Sequence, residues 1–164
     1  DLTEDELDGI IAYIRIGFDP DGVAVKIGDP LHGETIFRGH GECSSCHRIN
    51  GLGPRTAPDL SHIGSHRTPG ALYRTLLTPE TALLPINKSV ILVTKSEETI
   101  TGRRLNEDTY TVQIIDSTER LRSFKKSDLT HYDISDEPTH KPSELSEEEV
   151  ADVIGYLLTL RSAP

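Results

Sequence analysis

The 164-residue chain contains no methionine, no tryptophan and only two cysteines. Without methionine, no side chain can offer a thioether sulfur to a metal. Two cysteines cannot build the multi-disulfide framework of a small secreted scaffold. Aromatic residues make up 5% of the chain and hydrophobic residues 35%, a thin supply for the core of one domain of this length. Basic residues are outnumbered, 17 Lys and Arg against 27 Asp and Glu, which gives a net charge of −10. That balance argues against a nucleic-acid or anionic-membrane surface and suits a basic protein partner. The apolar runs fall far short of a membrane-spanning helix, so no membrane span is expected. The chain begins at Asp1 rather than Met, and no signal-peptide pattern follows. We therefore expect a processed or truncated chain, in keeping with export.

What is present is concentrated in Cys43-Ser44-Ser45-Cys46-His47. C-x-x-C-H is the attachment pattern for c-type haem. Each thiol can add across a haem vinyl group to form a thioether, and two intervening residues match the reach between the vinyls. His47 then binds the iron through its imidazole as the proximal ligand. A large flat cofactor would also fill the core that the thin apolar content leaves. Two rivals compete for the same cysteines. Cys43-x2-Cys46 followed by His62-x3-His66 has the spacing of a zinc finger. The histidines, however, sit in PDLSHIGSH, a loop-like stretch with a glycine between them, and no basic surface accompanies them. A thioredoxin-like dithiol lacks its βαβ surroundings.

Along the chain, residues 2–16 read as an amphipathic helix, with Thr3 as cap, Glu6 completing a capping box and Leu7, Ile10, Ile11 and Ile14 in one stripe. LTEDELDGIIAYI (2–14) matches LSEEEVADVIGYL (145–157) at five of thirteen positions. This looks like a repeated element, the last helix of an upstream cytochrome-like domain, although good caps alone make two such helices alike. Residues 17–29 form a Gly-, Asp- and Pro-rich linker. A helix over 30–39 follows, with Asp29 as cap and Pro30 in its first position. GLGPRTAP (51–58) is a loop. Thr68-Pro69 opens a helix carrying Leu72, Leu76 and Leu77. From Ser89 to Phe124, four β-branched runs separated by polar turns predict a four-strand antiparallel meander. Residues 88–131 hold eight basic and seven acidic residues against nine and twenty elsewhere, so the acidity belongs to the helical part. Arg103, Arg104, Lys125 and Lys126 read as the wet face of the meander. After a polar segment, Ser146 and Glu149 cap a final helix whose stripe runs from Val150 to Leu158.

A buried proximal histidine needs a partner for its second ring nitrogen, and the loop at Pro58 is placed to give a carbonyl. Gly33 permits a close helix crossing, with Phe37 and Tyr156 as its aromatic pair. With these pieces in place (Gly33-x-x-x-Phe37, C-x-x-C-H at 43–47, Pro58-Asp59-Leu60, Tyr156-Leu157) the chain resembles the class I cytochrome c family. It looks closest to a bacterial subgroup with a strand-rich insertion before the distal-ligand loop, often attached to larger oxidoreductases. The phrases GETIFRGHGECSSCHRINGLGP, PDLSHIGSHR and TGRRLNEDTYTVQIID carry that likeness, which spans about residues 28–161. The resemblance implies one covalent haem c and electron transfer to a redox partner outside the cytoplasm.

The family normally supplies Met, often followed by Pro, as the sixth iron ligand before the last helix. Here that segment reads Pro138-Thr139-His140-Lys141-Pro142-Ser143. Aligned on Pro142, Lys141 takes the Met position and His140 is its neighbour. Imidazole is the commoner iron ligand, and lysine must first lose a proton, so His140 leads, Lys141 is its rival, and His131 or an open site follows. Arg55 and Arg67 are candidates to pair with the haem propionates. We thus expect a mainly α molecule: a cytochrome c fold over 28–164 with a β-meander insertion at 88–131, and an extra N-terminal helix with linker over 1–27. It would be an electron carrier rather than an enzyme. The alternatives are a haem-based ligand sensor or weak peroxidase with a labile sixth position, and a zinc-stabilised binding module.

Overall fold

Asp29 and Pro30 start a helix as their chemistry requires. Proline needs no hydrogen-bond acceptor in the first turn, and the Asp29 carboxylate accepts from Leu31 N at 2.9 Å. This computed structural model describes residues 2–4, 6, 7, 10, 25–82 and 88–161. In order, its elements are α1 (Pro30–Arg38), a 3-10 turn (Cys43–Ser45), α2 (Ile63–His66), α3 (Pro69–Leu77), α4 (Pro79–Ala82), β1 (Ser89–Thr94), β2 (Thr99–Glu107), β3 (Thr111–Asp116), β4 (Leu121–Lys125), a second 3-10 turn (Lys126–Asp128), β5 (Leu129–Ile134) and α5 (Glu147–Thr159). Of the expected helix over 2–16, most lies outside the described residues. Its cap is described: Thr3 and Glu6 exchange backbone and side-chain hydrogen bonds, as Ser146 and Glu149 do at the start of α5.

The helical body is built on the crossing of α1 and α5. A Cβ on Gly33 would lie 2.0 Å from the backbone oxygen of Asp152, so only glycine lets the two backbones approach this closely. Four residues on, the Phe37 and Tyr156 rings meet edge to face, 5.5 Å apart at 60°, an arrangement that suits the aromatic quadrupole. Ile36, Phe37, Val150, Val153, Ile154 and Leu157 fill the space between, with Leu72 and Leu76 of α3 and Ile49 closing the cluster. Polar ties flank the crossing. The Asp152 carboxylate takes Asp29 N and His32 Nδ1, each at 2.7 Å, and His40 Nε2 lies 2.7 Å from the Glu149 carboxylate.

The sheet corrects the expected fold class. The molecule is not mainly α with a four-strand meander; it is α plus β, with a five-stranded antiparallel sheet in the order β4-β3-β2-β1-β5. The added strand, LTHYDI, was hidden in the polar segment because its inward residues break a period of two. Leu129 and Tyr132 both face in, and the extra residue between them is absorbed by an irregularity of register opposite Val93 and Thr94. Every strand contributes to one apolar cluster: Val90, Leu92, Ile100, Val112 and Ile114, joined by Phe124, Leu129, Tyr132 and Ile134. The sheet therefore curls around a core of its own, separate from that of the helices. Lys126 lies 2.6 Å from the Glu107 carboxylate and over the Tyr132 ring, so the expected wet face is only partly wet.

Two outcomes follow from the crossing. Gly33→Ala must push α1 and α5 apart, an overpacking cost of about 1–3 kcal/mol, read as a lower midpoint in thermal denaturation. The His32 pKa is raised above its ordinary 6.5, first by its hydrogen bond to Asp152, and the Asp152 pKa is lowered by the same bond. Stability from His32 is complete below pH 6.5 and is lost as pH climbs through the raised value; that from Asp152 is lost as pH falls through its lowered one. The midpoint difference between wild type and His32→Asn should be largest near pH 5 and shrink toward pH 9.

Candidate functional site

The segment after α1 is folded by local hydrogen bonds into a rigid pedestal. Glu42, with φ of 52°, turns the chain into the short 3-10 turn. The His47 and Cys46 amides both return to the Cys43 carbonyl, at 3.0 and 3.3 Å. Downstream, Gly53 has φ of 105°, and a Cβ there would lie 2.7 Å from the His47 carbonyl; that turn is open to glycine alone. Ala57 N reaches back to Cys46 O and Leu60 N to Arg48 O, which lays the Pro58 loop across the histidine.

Within this frame His47 Nδ1 lies 2.8 Å from the Pro58 carbonyl. A carbonyl only accepts, so the proton sits on Nδ1 and the Nε2 lone pair is left free, the tautomer an iron ligand needs. Burial lowers the His47 pKa first of all and the Pro58 hydrogen bond opposes it, while the neighbouring His140 and Arg103 act in the same direction as burial. Cys43 is half-buried against the helical core, and burial raises its thiol pKa. Cys46 is exposed.

His140 arrives from the other side of the chain. The connection from β5 to α5 is pinned at both ends, by Ser135 N to Ser89 O at 2.9 Å and Ser143 N to Leu76 O at 2.7 Å. Between the pins, His140 comes close enough to His47 to influence its pKa. Its Nδ1 is buried and finds no hydrogen-bond partner among the described residues. Lys141 is exposed, as is His131 on β5. Arg55 is exposed and Arg67 half-buried; burial and then the charge of Arg74 lower the Arg67 pKa.

The zinc spacing does not come together. His62 and His66 are both exposed at α2, and among the described residues no group of three or more His, Cys, Asp and Glu could hold a metal ion. Gly64 between them has a packing reason instead, since a Cβ there would lie 2.5 Å from Leu158 O at the end of α5.

Residues 31–108 match the family model described as Cytochrome c. Over that stretch the chain is similar to a class I c-type cytochrome domain. No curated protein matches it. The matched stretch begins in α1, contains both cysteines and His47, and ends just past β2. The cytochrome c family binds haem c covalently and transfers electrons, and the C-x-x-C-H of this domain is the corresponding attachment motif. The residues fit that group: two free thiols flank a pedestal whose histidine offers Nε2.

Sequence reasoning missed Arg103. It sits in β2 directly opposite Ser89 and Ile115, on the sheet face turned away from the inner cluster, yet it is half-buried and donates through Nη2 to the Arg55 carbonyl at 3.1 Å. One signal was readable. Ile114 and Ile115 are adjacent in a strand and so point to opposite faces; both are buried, so the second face of the sheet is covered too.

The covalent attachment has a direct check. The matured protein should exceed its polypeptide mass by one haem that survives denaturation, and Cys43→Ala with Cys46→Ala together should remove that increment. A single substitution should leave one thioether and a displaced band in the alkaline pyridine spectrum.

Proposed function

We propose that this cytochrome domain is a one-electron carrier whose iron is held between His47 and His140. One observation carries the reading: on a connection pinned to both sheet and helices, His140 presents a buried, unmatched ring nitrogen close to His47. A buried polar atom without a partner costs free energy of about 1–3 kcal/mol, and ligation offsets that cost. Lys141, exposed to solvent, is the weaker rival.

Haem c, when bound, supplies the iron whose ferric and ferrous states carry the electron. The chain's own part is positional. Pro58 fixes the tautomer and direction of His47, the Gly53 turn holds that loop in place, and the two pins on the 135–143 connection limit the movement of His140. Ligands held this way change little between oxidation states, which keeps reorganisation small. Two nitrogen ligands favour the ferric state relative to a nitrogen–thioether pair, so the potential should lie below that of a Met-ligated cytochrome. In this reading Arg55 and Arg67 serve as propionate partners, since a guanidinium binds a carboxylate bidentately. We further take residues 28–164 as one unit carrying the sheet as an insertion, and 1–27 as a remnant of an upstream domain. The net charge of −10 suits a redox partner with a basic docking surface, and the covalent haem suits an exported, periplasmic setting. No helix among the described residues is long and apolar enough to cross a membrane.

Ligation is tested on the matured protein by spectrum. His140→Ala should convert the ferric haem from low to high spin, raise the potential and open the ferrous form to carbon monoxide, while Lys141→Ala leaves all three unchanged. A low-spin spectrum untouched by His140→Ala would overturn the ligand assignment. Ready binding of carbon monoxide by the wild type would point instead to a ligand sensor.

A further inference from the structure

We propose that the β-sheet supplies a part of the redox site itself: Arg103, on β2, holds a haem propionate through its guanidinium and raises the potential of the iron. The inference rests on the haem reading above and concerns a residue from the insertion, outside the attachment motif and the ligand-bearing connection.

Three observations converge. First, Arg103 Nη2 donates to the Arg55 carbonyl at 3.1 Å, which fixes the guanidinium against the loop that follows the attachment motif. Second, its Nε is buried and finds no partner among the described residues. Burying a guanidinium nitrogen without an acceptor is unfavourable, and a planar fork with a donor to spare is built for a carboxylate. Third, the charge is uncompensated. The Arg103 pKa is lowered by burial and by the neighbouring Arg55 cation, and no acid among the described residues acts on it. Arg104, the next residue and on the opposite face, is paired with Glu107.

Arg103 also lies close enough to His47 for its charge to be felt there. A positive charge held near the iron disfavours the ferric form, which carries one more positive charge than the ferrous. The two propionates that haem brings are the anions this position otherwise lacks. The arginine would thereby also link the sheet to the loop on which the proximal ligand stands.

The test uses the full matured chain and potentiometric titration. Arg103→Gln should raise the ferric-to-ferrous ratio at fixed ambient potential about tenfold, equivalent to a midpoint about 59 mV lower for one electron. Arg104→Gln, which removes the same charge one residue away, should move it far less. Arg103→Lys keeps the charge, so its midpoint should stay near wild type, whereas the propionate bending band in the resonance Raman spectrum should shift because the planar fork is gone. An unchanged midpoint in Arg103→Gln, or an equal shift in Arg104→Gln, overturns the proposal. If Arg103→Gln does not mature, an unchanged Raman band in Arg103→Lys overturns it. A wild-type protein without covalent haem is a different result, and it would remove the cytochrome reading as a whole.

Discussion

The close approach of α1 and α5 at Gly33 is the constraint on which the rest depends. With backbone against backbone at that point, α1 ends where Cys43 can turn back over the core, and the Phe37–Tyr156 contact fixes the rotation of each helix about its axis. The pedestal of His47 is then an extension of α1, and the pinned connection bearing His140 an extension of α5 toward its N-terminus. The segments that bear His47 and His140 are thus each tied to one of the two crossing helices. Capping groups reinforce the arrangement, since Asp152 serves Asp29 N and His32 together while Glu149 closes the α5 cap and reaches His40. The Glu149 carboxyl is held down to about 2, first by the Ser146 backbone.

The sheet has a different basis. Its apolar cluster is drawn from all five strands, so it is stable on terms of its own, and its ties to the helical body are few and polar. Those ties lie where the chemistry is concentrated. Arg103 joins β2 to the loop at Arg55, and the chain leaving β5 carries His140 between its two pins. An acidic helical part and a near-neutral sheet are thus joined at the pair of cations Arg55 and Arg103.

How much of this could be read from the sequence divides along physical lines. Local chemistry was legible. Asp29, Thr68 and Ser146 cap helices as their side chains dictate, Gly33 and Phe37 mark the crossing, and Pro58 stands where its carbonyl meets His47. Patterns that depend on distant partners were not. β5 was lost because a register irregularity spoils its alternation, and with it went the sheet's fifth strand and the balance of helix and strand. Arg103 read as a surface cation because its burial depends on a loop 48 residues earlier. The spacing of His62 and His66 suggested a ligand pair, while Gly64 turned out to answer a packing need.

The pairing of β1 with β5 has a consequence for how the chain closes. His32 and Asp152 are 120 residues apart in sequence, a long loop for a helix pair to span before it gains anything. The sheet begins and ends at adjacent strands, Val90 opposite Ile134, and Lys88 meets Asp136 across 48 residues. Once formed, it removes that length from the loop. By chain-entropy arithmetic the saving is modest, about 0.5 kcal/mol: a formed sheet shortens the loop that the helix crossing must close.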